Sequence, residues 1–370
     1  MNNIENPNIC IIIPIFNESK TMNVLLESIN NNKELEQIRL IIVDDGSTDG
    51  TLEIIQDLSK KYGNITLIER GMKKGFGTAI RDGFKCALGL KPFPDLIITM
   101  DGDLSHNPDQ LKKLTKTWKR NSIVVGSRYI KGGEINNWGI YRKILSWGAN
   151  FLSRVFVNIP VSDSTSGYRC YGVLAVKEIL PNLESEGYEI QIEILSEAKR
   201  LGYNIHEEPI IFWNRTEGES KLKFKEIWTF LKKIYILSKK TDEWKRVLKF
   251  CIVGISGIVI NETILWALTE IWGLYYLISS VVSTEFAIIN IFFLNEIWTF
   301  RDTYNEFNSD IIKRLLKFHI SRFGSLILGI LVLVFLTEIL NIGYLYSNII
   351  SILILMTYNY LCSKGWVWTL

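Results

Sequence analysis

Cysteine is sparse in this chain and never paired in sequence. Cys10, Cys86, Cys170, Cys251 and Cys362 are scattered through 370 residues without a CxxC, so neither a zinc site nor a disulfide framework is indicated. A strong charge imbalance is also missing: the net charge of +3 gives no footing for a nucleic-acid partner. The opening residues, MNNIENPN, hold no basic segment followed by an apolar one, and the lack of a signal peptide predicts a cytosolic N-terminal domain. No glycine-rich fingerprint follows the first apolar run, which argues against a Rossmann dinucleotide site. Gly75-Phe76-Gly77 comes too late in the chain and reads as a loop.

What the chain has in plenty is apolar residues, 47% of the total, unevenly placed. Up to about residue 240, short β-branched runs alternate with stretches of helical spacing. Ile9–Pro14, Leu40–Val43, Ile65–Glu69 and Asp95–Met100 read as strands. Thr21–Ile29, Thr51–Lys61 and Ala79–Leu90 read as helices, the first capped by Ser19 or Thr21 and the second by Ser47 or Asp49. This alternation predicts an α/β fold with a doubly wound, mostly parallel sheet.

The ends of successive strands carry the polar residues. Pro14-x-Phe16-Asn17-Glu18, Val43-Asp44-Asp45 and Asp101-Gly102-Asp103 each fall at a carboxyl edge, so they are expected to converge on one crevice. Two carboxylates separated by one small residue suit a hard divalent cation and a diphosphate. A nucleotide diphosphate with a cation therefore fits better than NAD. His106, beside the paired acids, reads as a turn histidine.

With PxFNE, VDDGSTDGT, the Gly75 loop and DGDLSHNP in view, the chain resembles the inverting glycosyltransferases of family 2. Within them it looks most like the polyprenyl-phosphate (dolichol-phosphate) mannosyltransferases. Gly126-Ser127-Arg128-Tyr129, the segment from Asp163 to Arg169, Gly187-Tyr188-Glu189-Ile190-Gln191 and RTEGESKL at 215–222 extend the likeness over about residues 8–240. The resemblance implies a GT-A type fold. It also implies nucleotide contacts from Pro14, Phe16, Glu18, Val43 and Asp45, with Mg2+ or Mn2+ on Asp101 and Asp103. Arg128, Arg215 and Lys221 would meet the phosphates. Gly102 and Ser105 belong to the same loop and depart from the family, which often has alanine at the first position and in some members a glutamine ligand at the second. A serine is a weaker ligand, so water would complete the metal shell.

The acceptor decides the chemistry. A hydroxyl acceptor needs a general base, whereas a lipid monophosphate is already an anionic nucleophile that positioning can serve. Arg128, Arg142 and Arg169 are candidate clamps for it, with Asp163 orienting one of them. The resemblance implies GDP-mannose as donor and dolichyl or polyprenyl phosphate as acceptor. UDP-glucose is the nearest alternative donor. A lipid-carrier flippase whose cytosolic domain only binds cargo is the alternative from another class. No QxxRW signature of a processive synthase is present.

Two amphipathic stretches, 138–156 and 224–240, mix aromatics with basic residues and suit a membrane interface. Four apolar stretches follow, at about 250–272, 276–297, 318–340 and 344–365, each close to the roughly 20 residues that span a bilayer. Arg246, Lys249, Arg301, Lys313, Arg314, Lys317 and Lys364 all fall at one set of ends. The positive-inside rule then predicts a multi-pass membrane protein with both chain ends in the cytosol. Leu248-Lys249-Phe250 recurs at Leu316-Lys317-Phe318, and Thr269-Glu270 at Thr337-Glu338, at a common offset of 68 residues. Two tandem hairpins from a duplication are expected, resembling small four-helix modules found beside such transferases. Glu262 and Glu285 fall near mid-membrane, in hairpin packing or on a polar path. The expected division is a transferase domain at 1–222, an interfacial helix at 223–245 and an all-α transmembrane domain at 246–370.

Overall fold

A computed structural model describes residues 7–32, 38–214, 224–303 and 310–368. The chain divides into two compact units, residues 1–241 and 242–370.

The first unit contains strands β1 (Ile9–Ile15), β2 (Ile38–Asp44), β3 (Ile65–Glu69), β4 (Leu96–Thr99), β5 (Ser122–Ser127), β6 (Glu134–Asn136), β7 (Arg169–Gly172), β8 (Asn204–Pro209) and β9 (Ile211–Trp213). Its helices are α1 (Met22–Asn30), α2 (Thr51–Tyr62), α3 (Phe76–Gly89), α4 (Leu111–Thr117), α5 (Ile140–Phe156), α6 (Val173–Ile179), α7 (Ile190–Arg200) and α8 (Phe224–Lys240). Seven strands form one sheet in the order β3-β2-β1-β4-β7-β5-β8. Every neighbouring pair is parallel except that β7 runs antiparallel to both β4 and β5. The period-2 alternation of strand side chains splits β1 between two cores. Cys10 and Ile12 face α3, α6, α7 and α8, while Ile9, Ile11 and Ile13 face α1, α2 and α4. Burial on both faces explains why the strands read as continuous apolar runs.

Helix starts differ from expectation at the polar edge. α3 begins at Phe76, three residues before the expected Ala79. Gly75 and Gly77 lie against the backbone of 185–187, where a Cβ on Gly77 would come within 2.5 Å of the Ser185 carbonyl. Gly75 closes the loop after β3 as the N-cap of α3, at φ 103°, as expected for a loop residue, whereas Phe76 and Gly77 already belong to the helix, where Gly77 permits close packing. The N-cap of α2 is Gly50 (φ 90°), and Asp49 caps from one residue earlier, accepting from the Thr51 N–H at 3.2 Å. α8 is fastened to the sheet unit by Lys233, whose Nζ is 2.5 Å from the buried carboxylate of Glu193.

Among its described residues the second unit has four α-helices, α9 (Glu243–Trp266), α10 (Tyr276–Leu294), α11 (Ile311–Val334) and α12 (Tyr344–Cys362), each ending in a π-helical turn. Counted with those turns, all four are long and apolar enough to cross a membrane. α9 and α11 start at Glu243 and Ile311, before the apolar stretches proper, because the basic turns ahead of Phe250 and Phe318 continue the helix.

The duplication is visible in contacts. Lys249 donates to the Trp298 carbonyl at 3.4 Å, and its repeat-mate Lys317 donates to the Trp366 carbonyl at 3.1 Å. Six aromatic residues, three matched pairs, fill the centre. Phe250 meets Tyr360 at 5.3 Å, and Phe318 meets Phe292 at 5.6 Å. The mates Phe300 and Trp368 stack on each other at 4.6 Å, 13° from parallel. Each contact recurs with its mates exchanged, so an approximate two-fold axis passes between Phe300 and Trp368.

Candidate active site

The ends of β1, β2 and β4 are stitched together by short polar side chains. Pro14 and Val43 are register partners. Asn17 adopts φ 57°, which Asn tolerates better than most residues. Its side-chain oxygen accepts from the Thr48 N–H at 2.9 Å, and its own N–H reaches Ser47 Oγ at 2.8 Å. Lys73 Nζ sits 4.3 Å over the Phe16 ring. The hydroxyl of Thr21 lies 3.1 Å from Glu18 Oε2 and 2.9 Å from the Gly102 carbonyl, tying the first strand end to the paired acids.

Asp45 stands at the expected edge with its carboxylate fully engaged. Oδ1 accepts from Arg70 and from the Lys74 N–H, both at 2.8 Å, and Oδ2 accepts from the Gly75 N–H at 3.0 Å. Asp45 therefore anchors the loop after β3. Arg70 escaped the sequence reading, although it directly follows a strand end at the same edge. Its guanidinium also approaches Asp82 at 3.3 Å.

At the end of β4, Asp103 is buried and Asp101 is 29% exposed at its side chain. Ser105 donates to Asp103 Oδ1 from both its N–H and its hydroxyl, so it supports that carboxylate. His106 is buried, stacked on Tyr168 at 4.7 Å, and its Nδ1 accepts from the Asp101 N–H at 3.0 Å. Burial holds its pKa below the ordinary value, and the neutral ring carries its proton on Nε2. A Cβ on Gly102 would lie 2.7 Å from Ile15 Cγ2, a physical reason for glycine at this position. Gly167 leaves a small cradle in which a Cβ would sit 3.2 Å from Asp101 Oδ1.

The arginines divide. Arg128 makes a buried two-pronged pair with Asp163, Nε to Oδ2 at 2.6 Å and Nη2 to Oδ1 at 2.7 Å, and lies 5.0 Å from the Trp138 ring. Burial alone would raise the Asp163 pKa; the charge and hydrogen bonds of Arg128 outweigh it and hold the carboxyl below the ordinary range. Arg169 is 0% exposed and donates to three backbone carbonyls, those of Ser164, Ser166 and Gln191. It offers no face to a phosphate, which corrects the expectation for this residue. Arg142 is half-buried, 4.1 Å over the Trp138 ring and bonded to Asn214 Oδ1 at 2.9 Å. Arg215 and Lys221 lie outside the described residues.

Residues 10–180 match the model of glycosyl transferase family 2, and residues 249–368 match that of the GtrA/DPMS transmembrane domain. A dolichol-phosphate mannosyltransferase of Pyrococcus furiosus is 36% identical over 97% of this chain and 99% of its own length. The chain belongs to the dolichol-phosphate mannosyltransferase family. This family 2 glycosyltransferase is an integral membrane protein, with four apolar helices inside the matched transmembrane domain. An undecaprenyl-phosphate mannosyltransferase of Micrococcus luteus is 34% identical over 57% of the transferase and 86% of its own length. Among solved structures, glucosyl-3-phosphoglycerate synthase of Mycobacterium tuberculosis, in complex with Mn2+ and UDP, covers 62% of the transferase and 78% of its own chain at 17% identity and a TM-score of 0.45.

Proposed function

We propose that the enzyme transfers mannose from GDP-mannose to a dolichyl-type polyprenyl phosphate at the cytosolic face of the membrane. The full-length likeness to an archaeal dolichol-phosphate mannosyltransferase carries the reading, and the crevice at the sheet edge supports it. Pro14, Phe16 and Glu18 are proposed to line the nucleotide side, with Val43, whose side chain is buried in the core, contributing through its backbone and Asp45 holding the neighbouring loop in place.

Asp101 and Asp103 would hold Mg2+ or Mn2+. Among the described residues no three or more His, Cys, Asp or Glu side chains cluster to hold a metal. An ion bound here would therefore complete its shell with substrate phosphates and water, the habit of Mg2+. The cradle at Gly167 beside Asp101 Oδ1 leaves room for such ligands. When bound, the ion neutralises charge developing on the leaving diphosphate.

Transfer makes a bond from an acceptor phosphate oxygen to the anomeric carbon and breaks the bond from that carbon to the diphosphate, which leaves with the electron pair. The acceptor phosphate is anionic at neutral pH, so no proton has to be removed. Asp163, committed to Arg128, is accordingly not required as a base. Arg142 is the cation best placed to meet the acceptor phosphate, with Arg128 framing the wall behind it. Arg215 and Lys221 are proposed to cover the diphosphate. Exposed Ile140, Tyr141, Ile144 and Trp147 on α5 and Trp228 and Tyr235 on α8 fit seating at the headgroup layer. The basic ends of the membrane helices support the cytosolic side.

The test is a transfer assay on the full chain with dolichyl phosphate and labelled nucleotide sugars. Mannosyl lipid from GDP-mannose is the expected product. Glucosyl lipid alone would overturn the donor, and no transfer from any donor by folded protein would overturn the reading.

A further inference from the structure

The two membrane hairpins share one core but not one outer face. Glu262, Thr284 and Glu285 are exposed on α9 and α10, Glu285 to 52%. Their repeat-mates are Ile330, Ile352 and Leu353, exposed to 57%, 55% and 56%. The same outward positions thus carry what lipid demands in the second hairpin and the opposite in the first. Core packing does not require the difference, because the six central aromatics obey the two-fold.

At about 1.5 Å per residue, Glu262 and Glu285 each lie about 14–15 Å from the uncharged turn of their hairpin, too deep for a short side chain to reach the interface. Glu285 finds His319 at 2.8 Å across α10 and α11, and Asn261 donates to Glu262 at 3.3 Å. These pairs remain on the surface, His319 at 32% exposure, so the first hairpin presents ionisable groups to hydrocarbon. Intramembrane acids ordinarily face a protein interior or a polar cavity. Beside them runs a groove of about 440 Å³ lined by Ile260, Thr263, Ile264, Phe286, Ile289 and Asn290.

The geometry points to this face of α9 and α10 as an interface with a second copy of the chain. The face carries acceptors and hydrogen-bonding partners side by side: Asn261 donates to Glu262 at 3.3 Å, Thr284 donates to Asn261 Oδ1 at 3.4 Å, and the His319 ring of α11 lies 2.8 Å from Glu285, so a second copy of the same face can exchange these pairs across a two-fold. A two-fold contact sets each group opposite its counterpart set. Neighbouring Ile258, exposed to 64%, is a knob of the size the partner's groove admits. The second hairpin, apolar throughout the matched positions, stays toward lipid.

The full chain is labelled at one site, reconstituted in vesicles at falling protein-to-lipid ratio, and its copy number is read by single-molecule photobleaching. Two-step traces persisting on dilution are expected. The variant Glu262→Ile/Glu285→Leu/His319→Leu, which makes the first face resemble the second, is expected to raise the dissociation constant at least tenfold. Ile258→Trp should do the same by replacing the knob with a bulkier, differently shaped one, and Ile349→Trp on the second hairpin should change nothing. Sugar transfer by each variant shows that it has folded. Single-step traces from wild type at every dilution would overturn the proposal, as would undiminished dimerisation of both first-hairpin variants. A face that serves lipid alone would give the first of these results.

Discussion

Removing the charge of Asp163 tests what Arg128 is for. In Asp163→Ala the guanidinium keeps its place between the Trp138 and Phe212 rings, 5.0 and 5.2 Å away, and loses both prongs of its partner. Breaking a buried pair by deleting one member costs about 3–5 kcal/mol, because a charge stays buried without compensation. For a unit of 241 residues, at roughly 2–4 °C per kcal/mol, the midpoint of thermal unfolding should fall by about 6–20 °C. Replacing both members by apolar residues of similar volume, Arg128→Met with Asp163→Leu, should recover most of that loss. Thermal unfolding followed by fluorescence, alongside the transfer assay, separates two roles. If Arg128 only frames the wall, the double variant regains transfer with stability; if it also touches phosphate, stability returns and transfer does not. A drop under about 2 °C in Asp163→Ala would refute the reasoning.

Asp103→Ala should lower sugar transfer by about a hundredfold or more while the thermal midpoint stays close to wild type, measured with labelled donor and purified full chain. Chelation of divalent ions should abolish transfer, and Mg2+ or Mn2+ added in excess should restore it; transfer that is indifferent to chelator would remove the metal from the site. Lys233→Met should destabilise at neutral pH by about 3–5 kcal/mol, since the carboxylate of Glu193 is 0% exposed. The pH trend should also reverse. In wild type the Glu193 pKa lies below its ordinary value, because the Lys233 and Ser185 hydrogen bonds outweigh the opposing effect of burial. Its stabilising contribution is therefore full above the usual glutamate range and is lost on acidification through the folded pKa. Without Lys233, burial is opposed only by the Ser185 hydrogen bonds; with burial prevailing, the variant should regain stability as pH falls, and unfolding midpoints between pH 4 and 8, about the range where carboxylate linkage operates, check the sign.

Strands β1 to β4 and the meeting of three strand ends were legible because buried parallel strands are continuous apolar runs that stop at polar residues. The membrane hairpins were legible for a similar reason, and the offset of 68 residues survived in the very contacts that build the core. What stayed hidden was partnership. Arg128, Arg142 and Arg169 look alike in sequence, but one is paired to an acid, one stacks on an indole, and one staples a loop through backbone carbonyls. Backbone acceptors leave no trace in a side-chain pattern. Asp45 was read at the right edge, yet its loop partners Lys74 and Gly75 bind through N–H groups, equally silent. The insertion of β7 between β4 and β5 rests on a four-residue strand, too short to declare its direction.

Matched positions in the two hairpins no longer carry matched charges. Glu296 receives Arg314 and the Trp368 indole, whereas its mate Lys364 reaches Glu243. Two identical hairpins could not do this, since each would bring the same charge to both places. Joining them in one chain freed each half to mutate alone, and the halves have since become specialised. They are no longer interchangeable: a copy of the first hairpin in the second position would set a glutamate where Glu243 now meets a lysine.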